Sequence, residues 1–497
     1  MELTVKTSEG LVRGAGVEHG TIAFKGIPFA APPVGALRFR APVRPAAWDG
    51  TRDATRFGDV VPQPKSPGPL ADLFNPTHAQ GPDCLNLNVW TPDPGAVGLP
   101  VLVWIHGGAF VLGAGSDSLY DGSTFARDGV VTVTINYRLG AAGFLDVGAD
   151  VAGTGAFGVL DMVAALEWVQ ENIASFGGDP NQVTIAGESA GGMSVGTLLG
   201  TPRAKGLFRR AIPQSGAASH SISIAGAALV ATRFAEALGA VALADATGEQ
   251  VIAAQRSVSE QIILTRDAAR FGVEATTSTM GFVPMHGGDV LPQPPIDAIA
   301  AGAAKDVDVL IGTCRDEMML FLGTGPTALR LDESMTSTLY DLAFAARGRE
   351  ALDIYKGNRP GASGVELLGA LETDRMFRIP SIRLAEAQVA NGGRAFTYLF
   401  SWESPAFGGA IKAAHGLDLA FMWDNVGDRM AVGLVGDDAP QALADEMHGA
   451  WVRFITDGDP GWAPYDTATR TTRQLGAGAA LVDDPFGDER VLWDGVL

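Results

Sequence analysis

A serine hydroxyl is a weak nucleophile at neutral pH, so a chain that uses one must also supply a base and a group that orients the base. Ser189 stands in Gly187-Glu188-Ser189-Ala190-Gly191, a G-x-S-x-G spacing in which a sharp strand-to-helix turn carries the middle side chain outward. Glycine on both sides suits that turn, because neighbouring backbone passes too close for side chains. His106-Gly107-Gly108-Ala109-Phe110 is a second small-residue turn, whose amides can face a developing oxyanion. Gly108 and Ala109, with Ala190 just after the serine, are the candidate donors, and His106 reads as structural. In hydrolase order the acid follows the serine and the histidine comes last. Of the seven histidines, His415 and His448 come late. His448 falls in an amphipathic segment near Trp451 and reads as a packing residue, whereas His415 lies in a small-residue loop able to reach across a sheet end. The acid is Asp316 or Glu317, in the polar turn after the apolar run 308–312; spacing does not separate the two, and an ion pair with Arg315 is the competing use.

These side chains need a scaffold that holds them at one edge. Val183, Thr184 and Ile185 predict a buried strand before the serine, and residues 190–199 predict a helix of small residues after it. Runs 85–90, 100–105 and 130–136 are rich in β-branched and aromatic residues and predict core strands. Apolar residues at Val163, Leu166, Val169, Ile173 and Phe176 predict a helix over 160–176, stopped by Gly177-Gly178-Asp179-Pro180. Strands alternating with helices imply an α/β fold with a mostly parallel central sheet flanked by helices. Further strands are expected at 210–213, 308–312, 394–400 and 480–483, helices over 225–270 and 440–456, and small antiparallel edge strands within 3–30. Residues 59–83, rich in Pro, Asp and Asn, read as a long loop, either a lid or gorge wall or a solvated insertion. The stretch 323–379 mixes helical pieces with Gly-Pro punctuation and yields no order.

Composition narrows the classes. A length of 497 residues exceeds the usual domain of about 100–200 residues. No linker, charge block or repeat divides it, so one large domain over 1–497 with long insertions is expected. The net charge of −20 opposes nucleic-acid or anionic-membrane binding. No run of apolar residues is long enough for a membrane span, and no signal peptide is visible at the amino terminus. Two cysteines allow one disulfide at most, and a cytoplasmic location is expected. Gly153-Thr154-Gly155-Ala156-Phe157-Gly158 matches a dinucleotide-binding spacing, but no strand precedes it, and the acid near the required offset, Glu171, falls inside the predicted helix. No metal-ligand spacing is present either, so no cofactor or metal is implied.

Several motifs in order carry a family likeness: Gly26-Ile27-Pro28-Phe29-Ala30, Pro32-Pro33-Val34-Gly35 with Arg38-Phe39, Asp83-Cys84-Leu85-Asn86-Leu87-Asn88-Val89, the run 106–110, Asn136-Tyr137-Arg138, Phe176-Gly177-Gly178-Asp179-Pro180 and Gly187-Glu188-Ser189-Ala190-Gly191-Gly192. Across nearly its whole length the chain resembles the type-B carboxylesterases, the group that includes cholinesterases, and most closely the bacterial para-nitrobenzyl-esterase-like members. The resemblance implies an α/β-hydrolase fold whose insertions form a gorge or lid, with Ser189 as nucleophile, Glu317 as acid, His415 as base, and Gly108, Ala109 and Ala190 as oxyanion donors. It also points to Ser215, in Gln214-Ser215-Gly216, as a supporting partner of acid and base. The chain departs from the family at Gly81-Pro82-Asp83-Cys84, where relatives carry Ser-Glu-Asp-Cys; the missing glutamate usually pairs with the nearby arginine, so Arg38 needs another partner. Cys84 has no upstream cysteine to pair with, and residues 51–84 hold no tryptophan for a quaternary ammonium. Ala156 and Met162 stand where relatives often have Asn and Gln.

The expected activity is hydrolysis of small to medium carboxylic esters through an acyl-enzyme. Amidase or lactonase action on the same fold is the nearer alternative. A catalytically silent, esterase-like binding scaffold is the more distant one.

Overall fold

The computed structural model describes residues 3–66, 71, 75–323, 331–476, 478 and 480–496. Its centre is a sheet of eleven strands, numbered here in chain order: β1 (Ala15–Gly16), β2 (Ile22–Pro28), β3 (Asn86–Thr91), β4 (Leu99–Ile105), β5 (Val131–Ile135), β6 (Gly178–Glu188), β7 (Arg210–Gln214), β8 (Asp308–Cys314), β9 (Ala395–Phe400), β10 (Thr471–Leu475) and β11 (Ala480–Asp483). In space they run β11-β10-β9-β8-β7-β6-β4-β5-β3-β2-β1. From β5 to β10 every neighbouring pair is parallel. Antiparallel strands close both ends. The expected small edge strands within residues 3–30 are there, β1 and β2 at the sheet edge and Thr4–Lys6 with Leu11–Arg13 in a separate small sheet.

The central strands are apolar along their length because both faces are covered. On β4, Val101, Val103 and Ile105 pack into one core while the alternating Leu102 and Trp104 pack into the other. On β6, Val183 and Ile185 face the first core and Ala186 the second. The helix predicted over 160–176 forms as α1 (Phe157–Asn172) and runs through a short 3-10 turn to Phe176. Gly177 ends it with φ 90°, a left-handed conformation that glycine adopts without steric cost. The helix after the serine, α2 (Ala190–Leu199), has the predicted bounds. α3 (Gly248–Thr265) lies in the expected helical region and opens with a capping box at Thr247 and Gln250. α4 (Gln441–Asp457) buries Leu443, Met447, Trp451 and Phe454 at helical spacing.

Some expectations need adjusting. The run 85–90 is a core strand but pairs antiparallel with both neighbours, so it belongs to the sheet's mixed end. β10, Thr-Thr-Arg-Gln-Leu, has no apolar run to reveal it; parallel pairing with β9 and antiparallel pairing with β11 make it a strand. Among the described residues, the stretch 323–379 is largely helical; Glu333–Phe344, Gly348–Asn358 and Gly364–Thr373 share a satellite core with Trp493. The long loop 59–83 lies partly outside the described residues. Cys84 and Cys314 are both free and buried. No helix of the described residues is long and apolar enough to cross a membrane.

Candidate active site

β6 ends at Glu188 and α2 begins at Ala190, so Ser189 alone makes the turn, with φ 57° and ψ −126°. A non-glycine residue in such a conformation costs about 1–3 kcal/mol and persists only where its surroundings hold it. Here the Ser189 N–H donates to Gln214 O at 3.0 Å, and Ser189 O accepts from Met193 N–H at 2.8 Å. The flanking glycines are required by proximity: a Cβ on Gly191 would stand 2.0 Å from Ile105 O, and one on Gly187 2.5 Å from the Gly191 carbonyl carbon. The turn is therefore wedged against the end of β4.

The next turn, Gly107-Gly108-Ala109, follows β4 beside it. Gly108 and Ala109 take φ of 111° and 52°, both in the left-handed region. Among the described residues neither N–H donates to a protein acceptor. Ala190 is the first residue of α2, whose N–H has no acceptor within the helix. Three donors are thus left available around Ser189. His106, just upstream, is structural as expected: it is fully buried, its ring stacks on Tyr137 at 4.6 Å, and burial pulls its pKa down to about 4.

Asp316 and Glu317 take different partners. Glu317 is fully buried; its Oε1 accepts the Cys314 N–H at 2.7 Å and its Oε2 lies 2.5 Å from His415 Nδ1. Asp316 instead pairs with Arg315 at 2.8 Å. Backbone bonds tie the two loops together, from Asp316 N–H to Ala413 O at 2.9 Å and from His415 N–H to Glu317 O at 3.2 Å. His448 is occupied elsewhere, between Met422 O at 2.8 Å and Asp128 Oδ2 at 2.9 Å.

Ser189, His415, Gly108 and Ala109 line one cavity of about 290 Å³. Its outer wall is apolar, with Leu320, Phe321, Leu419, Met430 and Leu434, and Ser66 comes from the long loop. Ser189 and His415 are not hydrogen-bonded to each other among the described residues. His415 Nε2 lies 3.1 Å from Glu188 Oε1, at ion-pair distance but outside hydrogen-bond alignment.

Carboxylates missing from the sequence-based site surround this histidine. Burial raises Glu188 to about 8, opposed by His415 and reinforced by Asp418 and Glu317. Burial and Glu317 raise Asp418 to about 6, although Gln214 and Tyr398 donate to it at 3.1 and 2.9 Å. For His415, burial favours the neutral ring, but Glu188 and Glu317 override it and the pKa rises to about 9. Asp117, also on the cavity wall, is raised by burial to about 7. Glu188 sits inside the serine motif and Asp418 three residues past His415, so a charged residue embedded in an apolar segment was the available signal. Ser215 is fully buried, and its Oγ has no hydrogen-bond partner among the described residues. Among the described residues Ser215 makes no hydrogen bond to Glu317 or His415, while the neighbouring Gln214 donates to Asp418.

The sequence model of the carboxylesterase family matches residues 1–479. The chain belongs to the carboxylesterase family. Among relatives of this carboxylesterase, the para-nitrobenzyl esterase of Bacillus subtilis (strain 168) is 38% identical over 98% of the chain and 97% of that protein. The phenmedipham hydrolase of Pseudarthrobacter oxydans is 34% identical over 90% of the chain and 88% of that protein. A crystal structure of a Geobacillus stearothermophilus carboxylesterase superposes with a TM-score of 0.86 at 38% identity, covering 99% of this chain and all of that one. The carboxylesterase is accordingly a serine carboxylic-ester hydrolase with the α/β-hydrolase fold.

Proposed function

We propose that Ser189, His415 and Glu317 form the catalytic triad of this hydrolase, with the amides of Gly108, Ala109 and Ala190 as its oxyanion hole. The observation that carries the reading is the 2.5 Å approach of His415 Nδ1 to the buried Glu317, in a cavity that His415 shares with Ser189. Glu317 holds the proton on Nδ1 and leaves Nε2 as the base. As an ester enters, Nε2 turns from Glu188 to Ser189 Oγ and takes its proton while Oγ bonds to the acyl carbon. The carbonyl oxygen becomes an oxyanion held by the three amides; each such donor is typically worth about 10²–10³ in rate. The intermediate collapses, the C–O bond to the alcohol breaks, and His415 returns its proton to the departing oxygen. Water then repeats the sequence on the acyl-enzyme, releasing the acid and restoring Ser189.

The cavity of about 290 Å³ and its apolar wall support small to medium esters as substrates. The same reading treats residues 1–497 as one domain, supported by one sheet whose strands come from residue 15 to residue 483. A cytoplasmic location is part of it, supported by two cysteines that are buried and unpaired.

The test combines Ser189→Ala with an organophosphonate. The variant should lose turnover of a simple aryl ester, and the phosphonate should attach to Ser189 alone. Unlabelled Ser189 would identify a silent scaffold. A matched ester, amide and lactone series then separates esterase from amidase or lactonase action.

A further inference from the structure

A second cavity, of about 410 Å³, opens on a different part of the fold and shares no lining residue with the cavity at Ser189. One wall is the first two turns of α3, where Gly248, Val251, Ile252 and Gln255 follow one another along a single helix face. Arg38, Phe39 and Pro82 also line the cavity. Its volume is that of small-molecule pockets, which are apolar with a few placed polar groups.

The charges in it do not cancel. No aspartate or glutamate lines it, in a chain whose net charge is −20. Two guanidinium groups do. That of Arg138 is neutralised by Asp161 directly behind it, at 2.6 Å. That of Arg38 is not: its Nη1 donates to Ala246 O at 2.5 Å, its Cζ lies 5.1 Å from the centre of the Phe39 ring, and no described carboxylate is within ion-pair distance. Burial without a counter-ion lowers its pKa. Pro82, on the cavity lining, brings no charge to answer it. Gln255 adds a second donor. It is buried, its Oε1 is taken by the Ala141 N–H at 2.9 Å, and its Nε2 donates to no described protein group. The Cys84 thiol is pushed up to about 12 by burial, so it brings no negative charge.

We propose that this cavity binds an apolar monocarboxylate, its carboxylate on Arg38 and Gln255 and its hydrocarbon body against α3. One uncompensated guanidinium and one neutral amide match a single negative charge, and the planar fork of arginine matches a carboxylate. The acid released by ester cleavage belongs to that class, so the site offers a place for product away from Ser189. Naming product as occupant rests on the esterase reading; the site itself does not.

Octanoate is the probe, with 1-octanol as its uncharged counterpart, titrated calorimetrically into the full chain. Two variants localise the site. Pro82→Glu, at an exposed position, supplies the absent carboxylate to Arg38, and Arg38→Met removes the charge while keeping bulk. The expected result is saturable octanoate binding with a Kd of about 1 mM or tighter, weakened about tenfold or more in both variants. Octanol binding should be indifferent to both substitutions. Should Arg38→Met not fold, Pro82→Glu carries the test. Absence of saturable octanoate binding, or binding unchanged in Pro82→Glu, overturns the proposal. Neither outcome bears on Ser189, whose assignment stands or falls by Ser189→Ala.

Discussion

His415 Nε2 faces Glu188 Oε1 at 3.1 Å, so the base of the proposed triad rests between two glutamates, one on each ring nitrogen. Both carboxylates are buried, and together they hold the imidazole toward its charged form against the effect of burial.

That arrangement sets a pH dependence with a definite sign. A base must be neutral to accept the Ser189 proton, and an adjacent anion raises the pKa at which it becomes neutral. With His415 raised to about 9, kcat/KM should climb through the alkaline range. Because His415 and Glu188 share the titration, the limb belongs to the pair. Glu188→Gln removes one anion, so the acid limb should move to lower pH by roughly one unit or more. A pH profile of aryl-ester hydrolysis reads this directly; a limb that stays in place or moves up contradicts it.

Glu317 and Asp316 differ by one position and take different partners, His415 for one and Arg315 for the other. In Glu317→Gln the amide oxygen that stays on the Cys314 N–H leaves the NH2 facing His415 Nδ1, which favours the wrong tautomer, and kcat should fall by about 10³- to 10⁴-fold, the size of effect known for comparable triads. Asp316→Asn loses an ion pair with Arg315 that sits close to the surface, where pairs are worth at most about 1 kcal/mol. Its kcat should stay within a few fold of the parent. Comparable losses in both variants would reject Glu317 as the orienting acid.

Gly191→Ala tests the wedge between the serine turn and β4. The new Cβ would meet Ile105 O at 2.0 Å, and because that atom is backbone, α2 or β4 must shift. Overpacking of this kind costs about 1–3 kcal/mol or more. Urea denaturation should show the loss, and phosphonate labelling of Ser189 should slow alongside it.

Arg138 and Asp161 form a fully buried pair, with bonds of 2.7 Å from Nε to Oδ2 and 2.6 Å from Nη2 to Oδ1. Asp161 also accepts the Arg138 N–H at 2.9 Å. Asp161→Asn strands a buried cation and should destabilise the fold by about 3–5 kcal/mol in chemical denaturation. Replacing both partners, as Arg138→Met with Asp161→Leu, should cost less than the single change.

The amino-acid sequence determined everything that depends on local spacing. The serine turn was legible because glycines at 187 and 191 and β-branched residues at 183–185 admit few other backbones, and α2 began and ended where its small residues do. The central strands were legible because burial on both faces demands unbroken apolar runs. β10 was hidden, since a polar strand is defined by what it pairs with. The same limit governed the site. Spacing left Asp316 and Glu317 equal, and only the turn after β8 decided which carboxylate points inward at His415. Glu188 and Asp418 lie 230 residues apart in the chain yet act on one imidazole, as the numbering and the electrostatics together require. Burial and through-space charge are properties of the assembled fold, so the pKa of His415 and the uncompensated charge of Arg38 emerged only when distant segments met.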